Sequence, residues 1–247
     1  MQHFFRAGLL GLVIGSLMGG TPAAADLQAA LADSSRPEAD RARDAGRKPA
    51  QVLAFFDIGP GDKVADLLPG SGYYSRILVS EVGEEGTVYA GNNPFYLDFF
   101  KDKWNAVFQE PSFQKVQRID GPLDNVALPQ DGSLDAVIMA LAYHDLFLIE
   151  EDRTKMNARI LAALKPGGVY GIIDHHAKEG TGTEAVKSLH RIEEAVIVKE
   201  ITDAGFTLAK KGDFLRNAED DRTKIVFDPA LRGKTDRFVL RFEKPKQ

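Results

Sequence analysis

Lys63-Val-Ala-Asp-Leu-Leu-Pro-Gly-Ser-Gly-Tyr-Tyr-Ser75 decides the fold of this chain: an apolar run ends in Asp66 and then breaks into a loop of small residues. A buried parallel strand that hands over to a helix reads this way, with the free N–H groups of the helix start facing a ligand. Gly70 and Gly72 carry no side chain to hold a nucleotide-like group away from the backbone, and Asp66 can accept hydrogen bonds at the strand end. Two glycines also suit an ordinary tight strand-to-helix turn, so the weight falls on what surrounds the loop.

On both sides of that loop, helical and strand patterns alternate, which predicts an α/β fold with a mostly parallel sheet covered on both faces. The strands are expected at 63–68, 87–91, 114–119, 134–141, 168–174, about 206–211 and 236–243. Helices are expected at 27–33, about 37–56 with a fresh start at Pro49, then 72–82, 95–107, 151–164 and 184–204. Five βα units followed by two final strands is a specific count.

Upstream, Met1 to Ala25 has one positive charge at Arg6, an apolar segment from Ala7 to about Gly20, and Ala23-Ala24-Ala25 before Asp26. The segment is shorter than the ~18–20 residues a membrane span needs, so it reads as a cleaved signal peptide, leaving no stable membrane anchor and a periplasmic or secreted protein. Removing 25 of 247 residues leaves 222, enough for one compact α/β domain. Arg6 leaves with the segment, so 30 basic residues face 36 acidic ones, a net charge of about −6. That balance argues against a nucleic-acid partner, which would demand clustered Lys and Arg. The chain has no cysteine, which excludes disulfides and thiolate metal sites.

Four segments in order, Asp66-Leu-Leu-Pro-Gly-Ser-Gly72, Gly86-Thr-Val-Tyr-Ala-Gly-Asn92, Leu128-Pro-Gln-Asp-Gly-Ser-Leu-Asp135 and Leu164-Lys-Pro-Gly-Gly168, resemble the motif series of class I S-adenosylmethionine-dependent methyltransferases. The resemblance covers roughly residues 50 to 245. Tyr143-His-Asp-Leu, Asp174-His-His, Leu189-His-Arg-Ile and Thr235-Asp-Arg-Phe are similar to an uncharacterised branch of predicted methyltransferases that often carry signal peptides. It implies a Rossmann-like seven-stranded sheet with an antiparallel last strand, S-adenosylmethionine across the C-terminal edge of the first strands, and a small-molecule methyl acceptor. The division is then signal peptide 1–25, N-terminal helical cap 26–60 and methyltransferase-like domain 61–247. Asp66, Gly70, Ser71, Gly72, Asn92 and Asp124 are the cofactor-binding candidates. The chain departs from the pattern at Leu68, where the family has glycine, and at Asn92, where it has Asp or Glu. A carboxylate there would take both ribose hydroxyls in charge-assisted bonds, so Asn92 implies weaker binding or a changed ligand. Asn92 also suits a plain turn beside Asn93 and Pro94.

The four histidines after residue 25, His144, His175, His176 and His190, fall in one stretch that starts at the end of the fourth strand. Strand ends of a parallel sheet share one ligand-binding edge, so Tyr143-His144-Asp145 and Asp174-His175-His176 are expected to meet there, with His190 and Arg191 reaching in from the following helix. His144, Asp145, Asp174, His175 and His190 are the catalytic candidates, an imidazole being suited to proton removal near neutral pH. No metal ligand is assigned, although Asp145, Asp174 and His175 could hold a divalent metal. A binding protein that has lost catalysis, and a metal-dependent hydrolase or lyase on the same strand ends, are the rival readings. Tyr73, Tyr74, Phe95, Tyr96, Phe99, Phe100 and Trp104 read as core and pocket wall. Arg36 to Lys48 reads most simply as a solvated helix face, or else as a lid with Arg43 or Arg47 facing an anion. Glu219-Asp-Asp-Arg222 reads as an exposed hairpin approach.

Overall fold

The computed structural model describes residues 22–34 and 36–246. The expected signal segment lies outside the described residues except for its last four, which open helix α1 (Pro22–Ala32). Helices α2 (Glu38–Arg47) and α3 (Pro49–Phe56) complete the N-terminal cap. Between them Lys48 turns left-handed at φ 46°, and Pro49, which needs no N–H at a helix start, begins α3. No described helix is long and apolar enough to cross a membrane.

The sheet follows as β1 (Lys63–Leu67), β2 (Thr87–Gly91), β3 (Gln117–Arg118), β4 (Leu134–Ala140), β5 (Leu164–His175), β6 (Thr207–Gly212) and β7 (Arg237–Glu243). Its order is β3-β2-β1-β4-β5-β7-β6, with β1 to β5 parallel and β7 antiparallel to both β5 and β6. The strand order reverses between the parallel neighbours β1 and β4, the switch point where an open α/β sheet leaves a crevice at its C-terminal edge. The connecting helices are α4 (Tyr73–Val82), α5 (Pro94–Val107), α6 (Arg153–Ala163), α7 (Val186–Leu189) and α8 (Glu194–Asp203).

Alternation along β4 explains why both faces are covered. Val137 and Met139 join Met156 and Ile160 of α6 and Ile197 and Ile201 of α8 in one cluster, while Ala136 and Ile138 join Leu53 and Phe56 of α3 and Ile77 of α4 in the other. Each fully buried aliphatic or aromatic side chain contributes about 1.5–3 kcal/mol of transfer free energy, and both faces are lined with them. Gly171 marks a close approach of helix to sheet: a Cβ there would lie 2.7 Å from the Phe56 ring, so α3 can press onto β5 only over glycine.

Three expectations are corrected. The single helix at 184–204 is two, because His190 turns left-handed at φ 52° and Ile192 bridges to His176 as a sheet partner before α8 starts. Strand 114–119 shrinks to Gln117–Arg118, since Pro111–Lys115 winds into a 3-10 turn. Within Glu219–Arg222 the residues Glu219 and Asp221 are exposed, but Asp220 is buried, its carboxylate 2.9 Å from the buried Arg191 guanidinium and accepting the N–H of Asp236 at 2.6 Å.

Candidate functional site

Where β1, β4 and β5 end, a cavity of about 1200 Å³ opens. Its floor is the loop Leu68-Pro69-Gly70-Ser71, one side carries Phe95, Tyr96, Phe99 and Phe100 of α5, and the far rim carries His144, Asp145, His175 and His190. The roof comes from the cap: Ala42, Arg43, Gly46 and Arg47 of α2 line it, so this helix covers the cavity and the solvated-face expectation for 36–48 is corrected. Leu68 (φ 57°), Leu141 (φ 61°) and His190 (φ 52°) are three of the described non-glycine residues held left-handed, and all line this cavity. Such backbone costs about 1–3 kcal/mol each and persists where the surrounding packing fixes it, as at ligand sites.

The histidine rim is built around Asp174, which is fully buried at the end of β5. Its Oδ2 accepts the backbone N–H of His144 at 2.8 Å, and its Oδ1 accepts the N–H of His175 at 2.7 Å and lies 2.7 Å from His144 Nδ1. With Nδ1 turned to Asp174, His144 directs Nε2 at Asp145 Oδ1, 3.1 Å away. His190 Nδ1 approaches the same Oδ1 at 3.1 Å, and the Tyr96 hydroxyl donates to Oδ2 at 2.8 Å. The His144 and His190 rings stand edge to face, 5.5 Å apart. Burial disfavours a charged His144, but Asp174 and Asp145 outweigh it and push its pKa up to about 10. His175 goes the other way, well below the usual histidine value, through burial and the charges of His144 and Arg237; its Nδ1 meets the Thr235 hydroxyl at 2.8 Å. Burial works against ionised Asp145, yet its bond to His144 brings the carboxyl below its ordinary value.

The structure brings His144, Asp145, His175 and His190 together on the cavity wall, with Asp174 behind them. His176 and Arg191 do not reach it. His176 packs against Phe238 and Asp236, and Arg191 is sealed between Asp220 and the carbonyls of Lys224 and His176. Of the cofactor candidates only Gly70 and Ser71 line the cavity. Asp66 lies behind the wall, its carboxylate accepting from the Ser75 hydroxyl at 2.6 Å, and burial raises its pKa to about 7. Gly72 faces inward at φ 82°, where a Cβ would meet Trp104 at 3.3 Å. Asn92 is fully buried: its Oδ1 accepts from the N–H of Gly70 and its Nδ2 donates to the carbonyl of Gly70, both at 3.0 Å. It clasps the loop from behind, off the cavity wall. Asp124 sits in the short turn Leu123–Asn125, off the cavity wall.

Sequence reasoning missed one wall. Val226, Phe227, Arg232, Gly233, Lys234 and Thr235 line the cavity from the long connection between β6 and β7, and Arg237 from the start of β7. The run Arg232-Gly-Lys-Thr-Asp-Arg237 was the available signal. Together with Arg43 and Arg47 it gives the cavity a positive wall. Arg47 packs over the Tyr73 ring at 4.4 Å, with burial lowering its pKa, and Arg237 is anchored to the carbonyl of Gly46 at 2.7 Å.

Neither the models of known protein families nor the curated proteins contain a match to this chain. Solved structures do match. A SAM-dependent methyltransferase from Aquifex aeolicus superimposes with a TM-score of 0.59 at 21% identity, over 89% of this chain and 97% of that one. Geranyl diphosphate C-methyltransferase from Streptomyces coelicolor A3(2), solved with magnesium, geranyl diphosphate and S-adenosyl-L-homocysteine, superimposes at 0.56 and 13% identity, over 87% of each chain. The cyclase SpnF superimposes at 0.59 and 16% identity, over 82% of each chain. The chain has the class I S-adenosylmethionine-dependent methyltransferase fold. Because a cyclase shares that fold with methyltransferases, the side chains must argue the chemistry.

Proposed function

We propose that this protein transfers the methyl group of S-adenosylmethionine to a small-molecule acceptor. The observation that carries the reading is one continuous cavity running from the Leu68–Ser71 loop to the histidine rim, on the fold whose solved relatives use this cofactor. In this reading the cofactor lies over Gly70 and Ser71 against the α5 aromatics, with a cationic wall for its carboxylate, and the acceptor lies against His144, Asp145 and His190. The acceptor's lone pair forms the new bond to the methyl carbon as the carbon–sulfur bond breaks, and the sulfonium leaves as a neutral thioether. The proton lost by the acceptor goes to the Asp145–His190 pair. The enzyme's share is alignment and exclusion of water, which the α2 roof supplies.

Calorimetric titration with S-adenosylmethionine, followed by mass spectrometry for S-adenosylhomocysteine in the presence of candidate acceptors, tests this. Absence of binding by the folded chain overturns it. A second reading, an exported small-molecule-binding protein without catalysis, is favoured by Asn92, whose amide is spent on Gly70, and by Phe100, whose ring lies 3.5 Å from where a Gly70 side chain would begin. Tight binding with no product from any acceptor supports that alternative. Export to the periplasm or beyond is part of the proposal, resting on Arg6, the apolar segment and Ala23–Ala25. Mass spectrometry of the native protein should find Asp26 at the N-terminus, and an intact Met1 removes it.

A further inference from the structure

We propose that His144, Asp145 and His190 form a binding site for one divalent first-row transition-metal ion at the rim of the cavity. This inference goes beyond the methyl-transfer reading and stands without it. The three side chains reach one point from separate places: His144 and Asp145 from the short turn Tyr143–Phe147 after β4, His190 from the left-handed residue that ends α7. One ligand atom of each lies within 4.8 Å of the other two. Asp145 Oδ1 is 3.1 Å from His144 Nε2 and 3.1 Å from His190 Nδ1. Ligands about 2.1 Å from an ion stand about 3.0–3.4 Å apart when they occupy adjacent positions, so the spacing needs little change to admit one.

At His144 and Asp145 the atoms that do not converge are already employed, and this separates the cluster from a chance meeting of polar groups. His144 Nδ1 faces the buried Asp174 at 2.7 Å, which fixes the ring and turns Nε2 to the ion, whose binding would displace the proton that Nε2 shares with Asp145. Asp145 Oδ2 accepts from Tyr96, which leaves Oδ1. The His190 ring rests against Phe227, centroids 4.9 Å apart. Two imidazoles and one carboxylate favour iron, cobalt, manganese or zinc over magnesium or calcium, which prefer all-oxygen sets. All three residues line the cavity, so the remaining coordination positions face the space an acceptor would fill. An acceptor oxygen drawn there would lose its proton more readily, and with the ion held by Asp145 and His190 that proton would leave to solvent instead of to this pair. This set replaces Asp145, Asp174 and His175, because Asp174 is enclosed by its three bonds to His144 and His175, and the Nδ1 of His175 is turned to Thr235.

The test is titration of the untagged full chain with cobalt(II), followed by visible ligand-field absorption and calorimetry, with no S-adenosylmethionine present. One ion should bind per chain. His144→Ala, Asp145→Ala and His190→Ala should each weaken binding roughly 100-fold or more, and Asp174→Asn, which reaches the ion through His144, about 10- to 100-fold. His176→Ala, off the cavity, should leave binding unchanged. His190 is partly exposed, so its variant should keep the wild-type circular dichroism spectrum. Absence of a cobalt spectrum from the folded wild type, or binding untouched in folded His190→Ala, overturns the proposal and leaves a hydrogen-bonded cluster. Because the cofactor is absent throughout, failure of the methyl-transfer reading does not alter the result.

Discussion

The two ends of the cavity use polar side chains in opposite ways. Beneath the glycine loop, Asn92 is consumed by Gly70, Asp66 by Ser75, and Asp120 by the Asn92 N–H and the Trp104 indole. All three hold backbone or core in place and leave Gly70 and Ser71 to meet a ligand. At the β4–β5 end only Asp174 plays that hidden part, and His144, Asp145, His175 and His190 come to the surface of the cavity. A conformation is stabilised at one end and chemical groups are presented at the other. Substitutions at the loop end should therefore register first in stability, and those at the rim first in function.

The sharpest break in that contrast is Asp174, a rim residue with a structural burden. Asp174→Ala strips acceptors from the N–H groups of His144 and His175 and from the His144 ring, and should cost about 3–5 kcal/mol by chemical denaturation as well as abolish activity. A loss of activity without loss of stability would move Asp174 into the purely functional group.

Asp66 gives a pH test of the loop end. Its folded-state pKa of about 7 lies above the ordinary 3.8, so the folded protein keeps a proton that the unfolded chain releases. Its stabilising contribution is full below the unfolded value and is lost as pH rises through the folded one. Stability of the wild type relative to Asp66→Asn should fall between about pH 4 and pH 7 by on the order of 4 kcal/mol. Parallel denaturation series for the two proteins measure this, and a pH-independent difference would show that Asp66 is ionised throughout.

Gly72→Val should destabilise by about 2–4 kcal/mol, because a left-handed backbone and the Trp104 and Val107 side chains both oppose it. Gly70→Ala shares the left-handed strain at φ 60° but meets only the Phe100 ring, at ordinary contact distance, and should cost less stability while impairing ligand binding more. Equal effects at the two glycines would erase the distinction between core and cavity within one loop. The smallest change is Asn92→Asp. If Asn92 faced a ribose, the carboxylate would strengthen cofactor binding; as a buried clasp it loses its donor to the Gly70 carbonyl, and melting should report a loss of about 1–3 kcal/mol without gain in affinity. Tighter binding of S-adenosylmethionine by Asn92→Asp would return Asn92 to the ligand.

Much of this was legible in the chain. The run Lys63–Leu67, the glycines that follow and the alternation of later segments carry local signals, since a buried parallel strand and a helix start depend on neighbours in sequence. His144 and His175 could be placed on one edge because strand ends share it by topology. The break at His190 was not legible, because Leu189-His-Arg-Ile continues a helical pattern and only the pairing of Ile192 with His176 stops it. Nor was the fate of Glu219–Arg222, whose charges read as solvated until Arg191 is seen to be buried against Asp220.

By itself the sequence determined the order of strands and helices, the loop after β1 and the gathering of histidines, all of which follow from periodicity, backbone preference and connection rules. Tertiary structure alone decided that α2 roofs the cavity, that the Arg232–Arg237 run forms its positive wall, that Asn92 faces Gly70 and that His190 shares an oxygen with His144. Each of these depends on the direction of a side chain whose partner lies 22 or more residues away, or on the docking of one segment over another. Such outcomes are fixed by packing and by the cost of leaving a buried polar group without a partner, and neither is written in the residues on either side.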